Sequence, residues 1–242
     1  MGTRFPSLLQ PPIAFARLAA GADAPADALA AFRRALDQGA TGLACEVHLS
    51  EDGEAMVHDG PVMRSGLRRR PLSTLPAARM PASAPRLAQV YETCGTELHL
   101  LVDLVDEAAA GVVARVVRAA GRGAEERLWL CSPDWRQAAS WRAHSSSARL
   151  VQATRLRAFE EGPERRAATL SAAGIDAIVL RETDWNAGLT TLFHRFGCLA
   201  LAGPTRHRHR LDTVLAAGVD GVTSESVDSM VSAVAALSAP AP

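Results

Sequence analysis

The chain of 242 residues contains no lysine, so all 26 of its basic residues are arginines. Without a lysine amine the protein cannot form a Schiff base with a carbonyl substrate, which excludes one class of barrel enzyme. The basic residues are matched by 26 acidic ones, so no net charge draws the chain to nucleic acid or to an anionic membrane. We therefore expect neither of these as a partner.

Cysteine is scarce, and its spacing is irregular. The four cysteines lie far apart and form no Cys-x-x-Cys pair: Cys45, Cys94, Cys131 and Cys198. This spacing argues against a zinc site or a disulfide framework and favours buried thiols in a reducing compartment. Residues 1–10 do not look like a signal peptide, and no apolar run is long enough to cross a membrane. We expect a cytoplasmic protein with no membrane span.

The residues that are present suit one large domain. Hydrophobic residues make up 48% of the sequence, which is enough to bury a substantial core. The length fits a single domain over residues 1–242, with a frayed tail at 238–242.

Short apolar runs alternate about eight times with longer segments of helical period, which predicts an α/β fold, a single closed (β/α)8 TIM-type barrel. An open doubly wound sheet is the alternative, but no Gly-x-Gly-x-x-Gly sequence supports it. The candidate strands are Ile13–Ala16, Leu43–Val47, Leu98–Asp103, Arg127–Cys131, Arg149–Val151, Ala177–Leu180, Cys198–Ala202 and Gly221–Thr223. Candidate helices include Ala26–Gln38, Ala108–Ala120, Pro163–Ala173 and Arg210–Ala217.

One connection departs from this alternation. Asp52-Gly53 is a tight-turn dipeptide between two apolar runs, so it predicts a small β-hairpin extension after the second strand. The hairpin should return His58 to the height of Glu46, which would bring an imidazole and a carboxylate into one site. The residues that follow, 60–86, are rich in proline and arginine and predict a surface loop, with anion binding by the arginine run 68–70 as the alternative.

Several short motifs occur in order along the chain and carry a family resemblance. They are Pro25-Ala26-Asp27-Ala28-Leu29-Ala30-Ala31-Phe32, Ala44-Cys45-Glu46, Asp52-Gly53, His58-Asp59, Val102-Asp103-Leu104 and Gly218-Val219-Asp220-Gly221. In order and spacing they resemble the signature of the glycerophosphodiester phosphodiesterase family in its compact bacterial form. That resemblance implies a barrel that hydrolyses glycerophosphodiesters to glycerol phosphate and an alcohol. It also implies a divalent cation held by three carboxylates, and two histidines that act as acid and base.

The resemblance identifies positions at which the chemistry of the family is replaced. Counted back from Pro25, Arg17 stands where the family has its first catalytic histidine, and Leu18 stands where it has a phosphate-binding arginine. Ala44 replaces one metal carboxylate, and Val105 replaces a lysine. These substitutions predict a degenerate active site on a preserved frame.

Three residues of the implied site are kept and form the catalytic set together with Arg17. Glu46 and Asp103 are the remaining carboxylates, and His58 is the remaining acid/base histidine. Two carboxylates hold a hard cation only weakly, so we expect no cofactor beyond weak Mg²⁺ or Ca²⁺ at Glu46 and Asp103. Arg17 cannot act as a base near neutral pH. Our hypothesis is that Arg17 pairs with Glu46 or Asp103 and takes the place of the cation, as a structural ion pair or as a group that binds an anionic ligand.

Further ligand contacts are expected where strands end at the mouth of the barrel. Arg181 and Trp185 follow the strand Ala177–Leu180, so they are candidate substrate-binding residues, although Trp185 could instead cover the rim.

Three functions remain open on this sequence, and the oligomeric state is open as well. The first is a phosphodiesterase-family barrel with weak or altered phosphodiester chemistry on a small, phosphate-containing ligand. The second is a barrel repurposed for metal-independent acid/base or cyclisation chemistry on another metabolite. The third is a binding protein without turnover.

Overall fold

Eight parallel strands close into a ring in a computed structural model that describes residues 5–18, 25–65, 68–104, 106–121 and 123–238. The strands are β1 (Ile13–Arg17), β2 (Gly42–Leu49), β3 (Ala55–Val57), β4 (Val62–Ser65), β5 (Arg68–Pro71), β6 (His99–Leu104), β7 (Leu128–Ser132), β8 (Arg149–Ala153), β9 (Ala177–Leu180), β10 (Leu199–Ala202) and β11 (Gly221–Ser224). The ring runs β1, β11, β10, β9, β8, β7, β6, β2. Pairing of β1 with β2 closes it, which confirms the TIM-type barrel and rules out the open sheet.

Helices follow the barrel strands and cover the outside of the ring. They are α1 (Ala28–Asp37), α2 (Leu87–Cys94), α3 (Ala109–Ala120), α4 (Trp135–Ser140), α5 (Pro163–Ala172), α6 (Ala187–Arg195), α7 (Arg208–Ala216) and α8 (Val227–Ser238). In α1 the Asp27 side chain caps the first turn by accepting a hydrogen bond from the Ala30 amide. Ala28, Phe32 and Ala35 recur at helical spacing and bury one face against the strands. No helix in the described part of the chain is long and apolar enough to cross a membrane.

The interior of the barrel is filled by side chains from alternate strand positions. Phe15, Leu101 and Trp129 belong to one buried cluster inside the ring, together with smaller residues such as Ala44. Gly42 is required beside them, because a Cβ atom there would lie 2.7 Å from the Phe15 ring. The ring is therefore a packed core, and space for a ligand exists only at its ends.

The hairpin after β2 forms as predicted. β3 runs antiparallel to β2 outside the ring, with Val47 opposite Val57. Gly53 has a φ of +76°, a conformation that glycine adopts at little cost in a tight turn. The His58 amide donates to the Glu46 carbonyl oxygen at 3.1 Å, so His58 does return to the height of Glu46.

The expectation that residues 60–86 form only a surface loop is wrong. β4 and β5 pair as an antiparallel ribbon, and two short 3₁₀ turns follow them. Met63, Leu72 and Leu75 are buried in a small cluster against Met56 of β3. The sequence did not predict this small core, because it is formed by a few apolar side chains that are distant in sequence and lie among many prolines and arginines. Gly66 and Leu67 lie outside the described residues.

The segment Gly218-Val219-Asp220-Gly221 has a structural position at the amino end of β11. Asp220 is fully buried, and its carboxylate accepts hydrogen bonds from the Leu8 and Ala200 amides and contacts His194 at 2.7 Å. Asp220 therefore ties the N-terminal segment to the bottom of the barrel, away from the mouth. Val105, Ala19 and the predicted tail beyond Ser238 lie outside the described residues.

Acid is expected to destabilise the barrel through His99. Burial, reinforced by Arg149 and Arg127, lowers the pKa of His99 from 6.5 to about 4. The folded state therefore excludes a proton that the unfolded chain binds, so stability is full above pH 6.5 and declines as the pH falls to 4. Because His99 is only partly buried, this loss should be about 1–2 kcal/mol.

Urea unfolding of the unmutated protein and of His99→Gln, from about pH 7 to about pH 4, measures the contribution of His99. The glutamine retains an acceptor for the Trp129 indole N–H, which contacts the His99 Nδ1 at 3.3 Å. The variant should lose less stability with acid than the unmutated protein does. If the free energy of unfolding declined equally with acid in both proteins, His99 would not be the cause of the acid sensitivity.

Candidate active site

A cleft of about 590 Å³ opens at the carboxyl ends of β1 and β2, on the side where β3 and β4 extend the barrel. Its polar end contains Arg17, Glu46 and His58, and polar and apolar atoms line the cleft in similar proportion. The described residues that line it are Arg17, Leu18, Pro25, Ala26, Ala28, Phe32, Ala44, Cys45, Glu46, Val57, His58, Asp59, Val62, Met63, Arg69 and Ser83. The position at the strand ends agrees with the usual place of ligand sites in such barrels.

Arg17 and Asp103 form the central ion pair of this site. The Arg17 Nη1 donates to the Asp103 Oδ2 at 2.8 Å, and its Nη2 lies 4.0 Å from the Asp59 Oδ1. Burial alone would lower the pKa of Arg17, but the charge and hydrogen bond of Asp103 raise it above its ordinary value. Arg17 is therefore a fixed cation. Its side chain is 24% exposed and lines the cleft, whereas Asp103 is not among the described lining residues.

Glu46 lies next to Asp103 in the ring, because these two residues are register partners on β2 and β6. The Glu46 Oε1 lies 2.7 Å from the His48 Nε2. His48 Nε2 nevertheless has no well-aligned hydrogen-bond partner among the described residues, so the two atoms are in close polar contact without a regular hydrogen bond. Burial raises the pKa of Glu46, but His48, the Gly60 amide and Arg17 outweigh burial and lower it.

His58 is half-buried, and the turn that follows it fixes the orientation of its ring. Its Nδ1 lies 2.8 Å from the Gly60 carbonyl oxygen. A carbonyl oxygen can only accept, so Nδ1 must carry the proton and donate it. The neutral ring then has its lone pair on Nε2, which is the form that can accept a proton. His58 lines the cleft, as a candidate acid/base group must.

Cys45 lines the cleft and Cys131 is the register partner of Asp103, and neither cysteine is suited to nucleophilic chemistry. Burial raises the pKa of Cys45 to about 12, with Asp103 adding to the effect. Burial and the neighbouring Asp103 carboxylate hold the pKa of Cys131 well above its ordinary value. Both side chains are therefore neutral thiols at physiological pH, and a thiol is a poor nucleophile.

The donor set does not fit the divalent cation that the family resemblance implies. Asp103 is bonded to the Arg17 guanidinium, and Glu46 is in contact with His48. Ala44, at the position of the missing carboxylate, is buried and lines the cleft with a methyl group. Within the described ranges no three His, Cys, Asp or Glu side chains converge closely enough to hold a metal ion.

Arg181 and Trp185 lie apart from this cleft, since neither is among the described residues that line it. Arg181 is exposed. Trp185 is only 5% exposed, donates its indole N–H to the Leu201 carbonyl oxygen at 3.0 Å, and packs edge-on against Phe193. These contacts are those of a residue that covers the rim. Substrate binding by Arg181 and Trp185 stays a prediction.

Three residues of the site were not assigned to it from the sequence: His48, Gly60 and Arg69. His48 could have been found, because residues two apart on a strand point to the same face and Glu46 was already a candidate. The contact of Gly60 with His58 depends on a left-handed turn that the sequence pattern does not reveal. Arg69 was hidden in a segment that we expected to be a loop.

Comparison with known proteins identifies the fold but gives no sequence match. No family profile matches this chain, and no curated protein does. A protein assigned as a glycerophosphoryl diester phosphodiesterase from Silicibacter pomeroyi DSS-3 has a TM-score of 0.76 and 17% identity, over 98% of this chain and 96% of its own. An Oleispira antarctica phosphodiesterase, in complex with the product sn-glycerol-3-phosphate, has a TM-score of 0.75 and 16% identity, over 93% and 97%.

A third structure, the glycerophosphodiester phosphodiesterase of Thermotoga maritima, has a TM-score of 0.72 and 15% identity, over 84% of this chain and 90% of its own. The chain therefore has the fold of the glycerophosphodiester phosphodiesterases over most of its length. This confirms, at the level of the fold, the resemblance that the sequence motifs carry. Identities this low describe the fold alone.

Proposed function

We propose that the protein binds a phosphate ester in the cleft and hydrolyses phosphodiesters weakly, through a site that has lost the divalent-metal chemistry of the family it resembles. The observation that carries this proposal is the 2.8 Å contact of Arg17 with Asp103, which holds a fixed cation in the cleft that His58 also lines. The fold supports phosphate esters as the ligand class, because one protein that shares it is in complex with sn-glycerol-3-phosphate.

Arg17 is suited to neutralise a phosphate group. A guanidinium has five N–H donors in a planar fork that matches phosphate oxygens. The hydrogen bond to Asp103 is the one that the described residues accept from Arg17, so other donors are available to a ligand. Arg69 is exposed, lines the same cleft and adds a second guanidinium.

His58 is the proposed proton carrier. In hydrolysis, a water oxygen bonds to phosphorus, the bond from phosphorus to the alcohol oxygen breaks, and one proton passes from the water to the departing alcohol. The neutral Nε2 of His58 accepts that proton and then returns it to the alcohol. One histidine performs both transfers, and the charge of Arg17 is partly neutralised by Asp103, so we expect turnover to be slow.

Two measurements test the proposed function. Calorimetric titration with sn-glycerol-3-phosphate should give saturable heat, whereas glycerol, which lacks the phosphate, should give none. Hydrolysis of bis(4-nitrophenyl) phosphate in the presence of a chelator should be slow but enzyme-dependent. Equal heats of binding for sn-glycerol-3-phosphate and glycerol would exclude phosphate esters as the ligand class.

Arg17 is proposed to stand in for the cation, so divalent metal is not expected to bind tightly. A hard cation needs several oxygen ligands, and the guanidinium of Arg17 already occupies an oxygen of Asp103. Calorimetric titration with Mg²⁺ and with Ca²⁺ should detect no binding by the unmutated protein. Any gain in metal binding should be confined to the variant Arg17→Ala, in which Asp103 no longer pairs with a guanidinium. Tight binding by the unmutated protein would overturn this part of the proposal.

Binding without turnover is the second candidate, and one observation favours it. Each implied functional carboxylate already has a charged or polar partner within the protein, Arg17 for Asp103 and His48 for Glu46. Such pairs preserve the shape of a site without supplying free groups for chemistry. Saturable binding of sn-glycerol-3-phosphate together with no hydrolysis would select this candidate over weak catalysis.

A further inference from the structure

Gly60 contacts the side chain of His58 through its backbone. It lies two residues after His58, and its carbonyl oxygen is 2.8 Å from the His58 Nδ1. The His58 amide donates to the Glu46 carbonyl oxygen at 3.1 Å. The backbone of the hairpin therefore holds His58 at both ends of the residue, through its amide and through its ring.

We propose that Gly60 is a positioning residue: its left-handed backbone turns its carbonyl oxygen back to the His58 Nδ1 and thereby fixes the tautomer of His58, with Nε2 free to accept a proton. The value of that tautomer for hydrolysis rests on the function proposed above. The tautomer itself does not, because it follows from a contact between a ring nitrogen and an oxygen that can only accept.

The backbone conformation of Gly60 explains why this position favours glycine. Its φ is +85°, which a β-branched residue adopts only at a substantial cost. A Cβ atom at Gly60 would meet nothing within 4 Å, so a substitution here strains the backbone without a steric clash. Changing the residue therefore tests the conformation of the turn by itself.

The contact also selects between two states that an unrestrained imidazole can interconvert. The hydrogen bond made by one ring nitrogen decides which nitrogen carries the proton. With Nδ1 held by the Gly60 oxygen, the ring presents an acceptor at Nε2. Without that contact, the proton can reside on Nε2, and the neutral ring then offers a donor where hydrolysis needs an acceptor.

The tautomer is measured by nitrogen-15 NMR of the histidine rings, at a pH high enough for His58 to be neutral. His58→Gln identifies its signals. The unmutated protein should show a protonated Nδ1 and an unprotonated Nε2. Gly60→Val should remove this preference, whereas Gly60→Asn should largely keep it because asparagine tolerates positive φ. The reverse tautomer in the unmutated protein would overturn the proposal, whether or not Gly60→Val folds.

Gly162→Val is the matched control for backbone strain. Gly162 has a φ of +86° and equally open surroundings, but it precedes α5 and lies outside the described lining of the cleft. Its substitution should lower stability and leave the His58 tautomer unchanged. A tautomer change of equal size in both variants, or in neither when both fold, would overturn the role of Gly60. Because none of these readings needs a ligand or turnover, their failure is distinct from failure of the proposed function.

Discussion

Replacement of Arg17 by methionine is expected to weaken both the fold and ligand binding. The change removes the donor to the Asp103 Oδ2 and leaves a carboxylate that is 31% exposed without its partner. A partly buried polar group that loses its partner costs about 1–3 kcal/mol in the free energy of unfolding. If the same guanidinium binds phosphate, affinity for sn-glycerol-3-phosphate should fall about 10- to 100-fold. Urea unfolding and calorimetric titration measure the two effects.

Arg33→Met is the matched control for this change. Arg33 pairs with Asp37 at 3.1 Å on the exposed surface of α1, so the same loss of charge there should cost less than about 0.5 kcal/mol. The double variant Arg17→Met with Asp103→Asn should recover part of the stability, because the unpaired carboxylate is removed, but it should not recover binding. Unchanged affinity in Arg17→Met would contradict its role as the phosphate-binding cation.

The ring of strands was predictable because its signal is local. Runs such as Ala177–Leu180 are apolar, short and separated by helical segments, so the sequence alone defines them. The hairpin was predictable for the same reason, since Asp52-Gly53 specifies a tight turn between two apolar runs. The alignment of Glu46 with His58 then follows from counting residues, and the register agrees.

The ribbon of β4 and β5 could not be predicted, because its stability comes from contacts distant in sequence. Met63 and Leu72 are buried in a cluster that includes Met56 of β3. The same limit applied to the ion pair of the site. The sequence predicted that Arg17 would pair with Glu46 or Asp103, and the structure pairs it with Asp103. The choice depends on side-chain geometry at the mouth of the barrel, which no local pattern encodes.

His58→Ala is expected to reduce turnover about 10²- to 10⁴-fold, the usual consequence of removing a positioned acid or base. Binding of sn-glycerol-3-phosphate should change little, because the charge that attracts phosphate resides on Arg17. Steady-state hydrolysis of bis(4-nitrophenyl) phosphate, together with calorimetry, separates the two effects. His207→Ala is the control, since His207 is exposed, stacks on His209 at 5.7 Å and lies outside the described lining of the cleft. Equal rates for His58→Ala and His207→Ala would show that proton transfer does not pass through His58, and would contradict its role as the proton carrier.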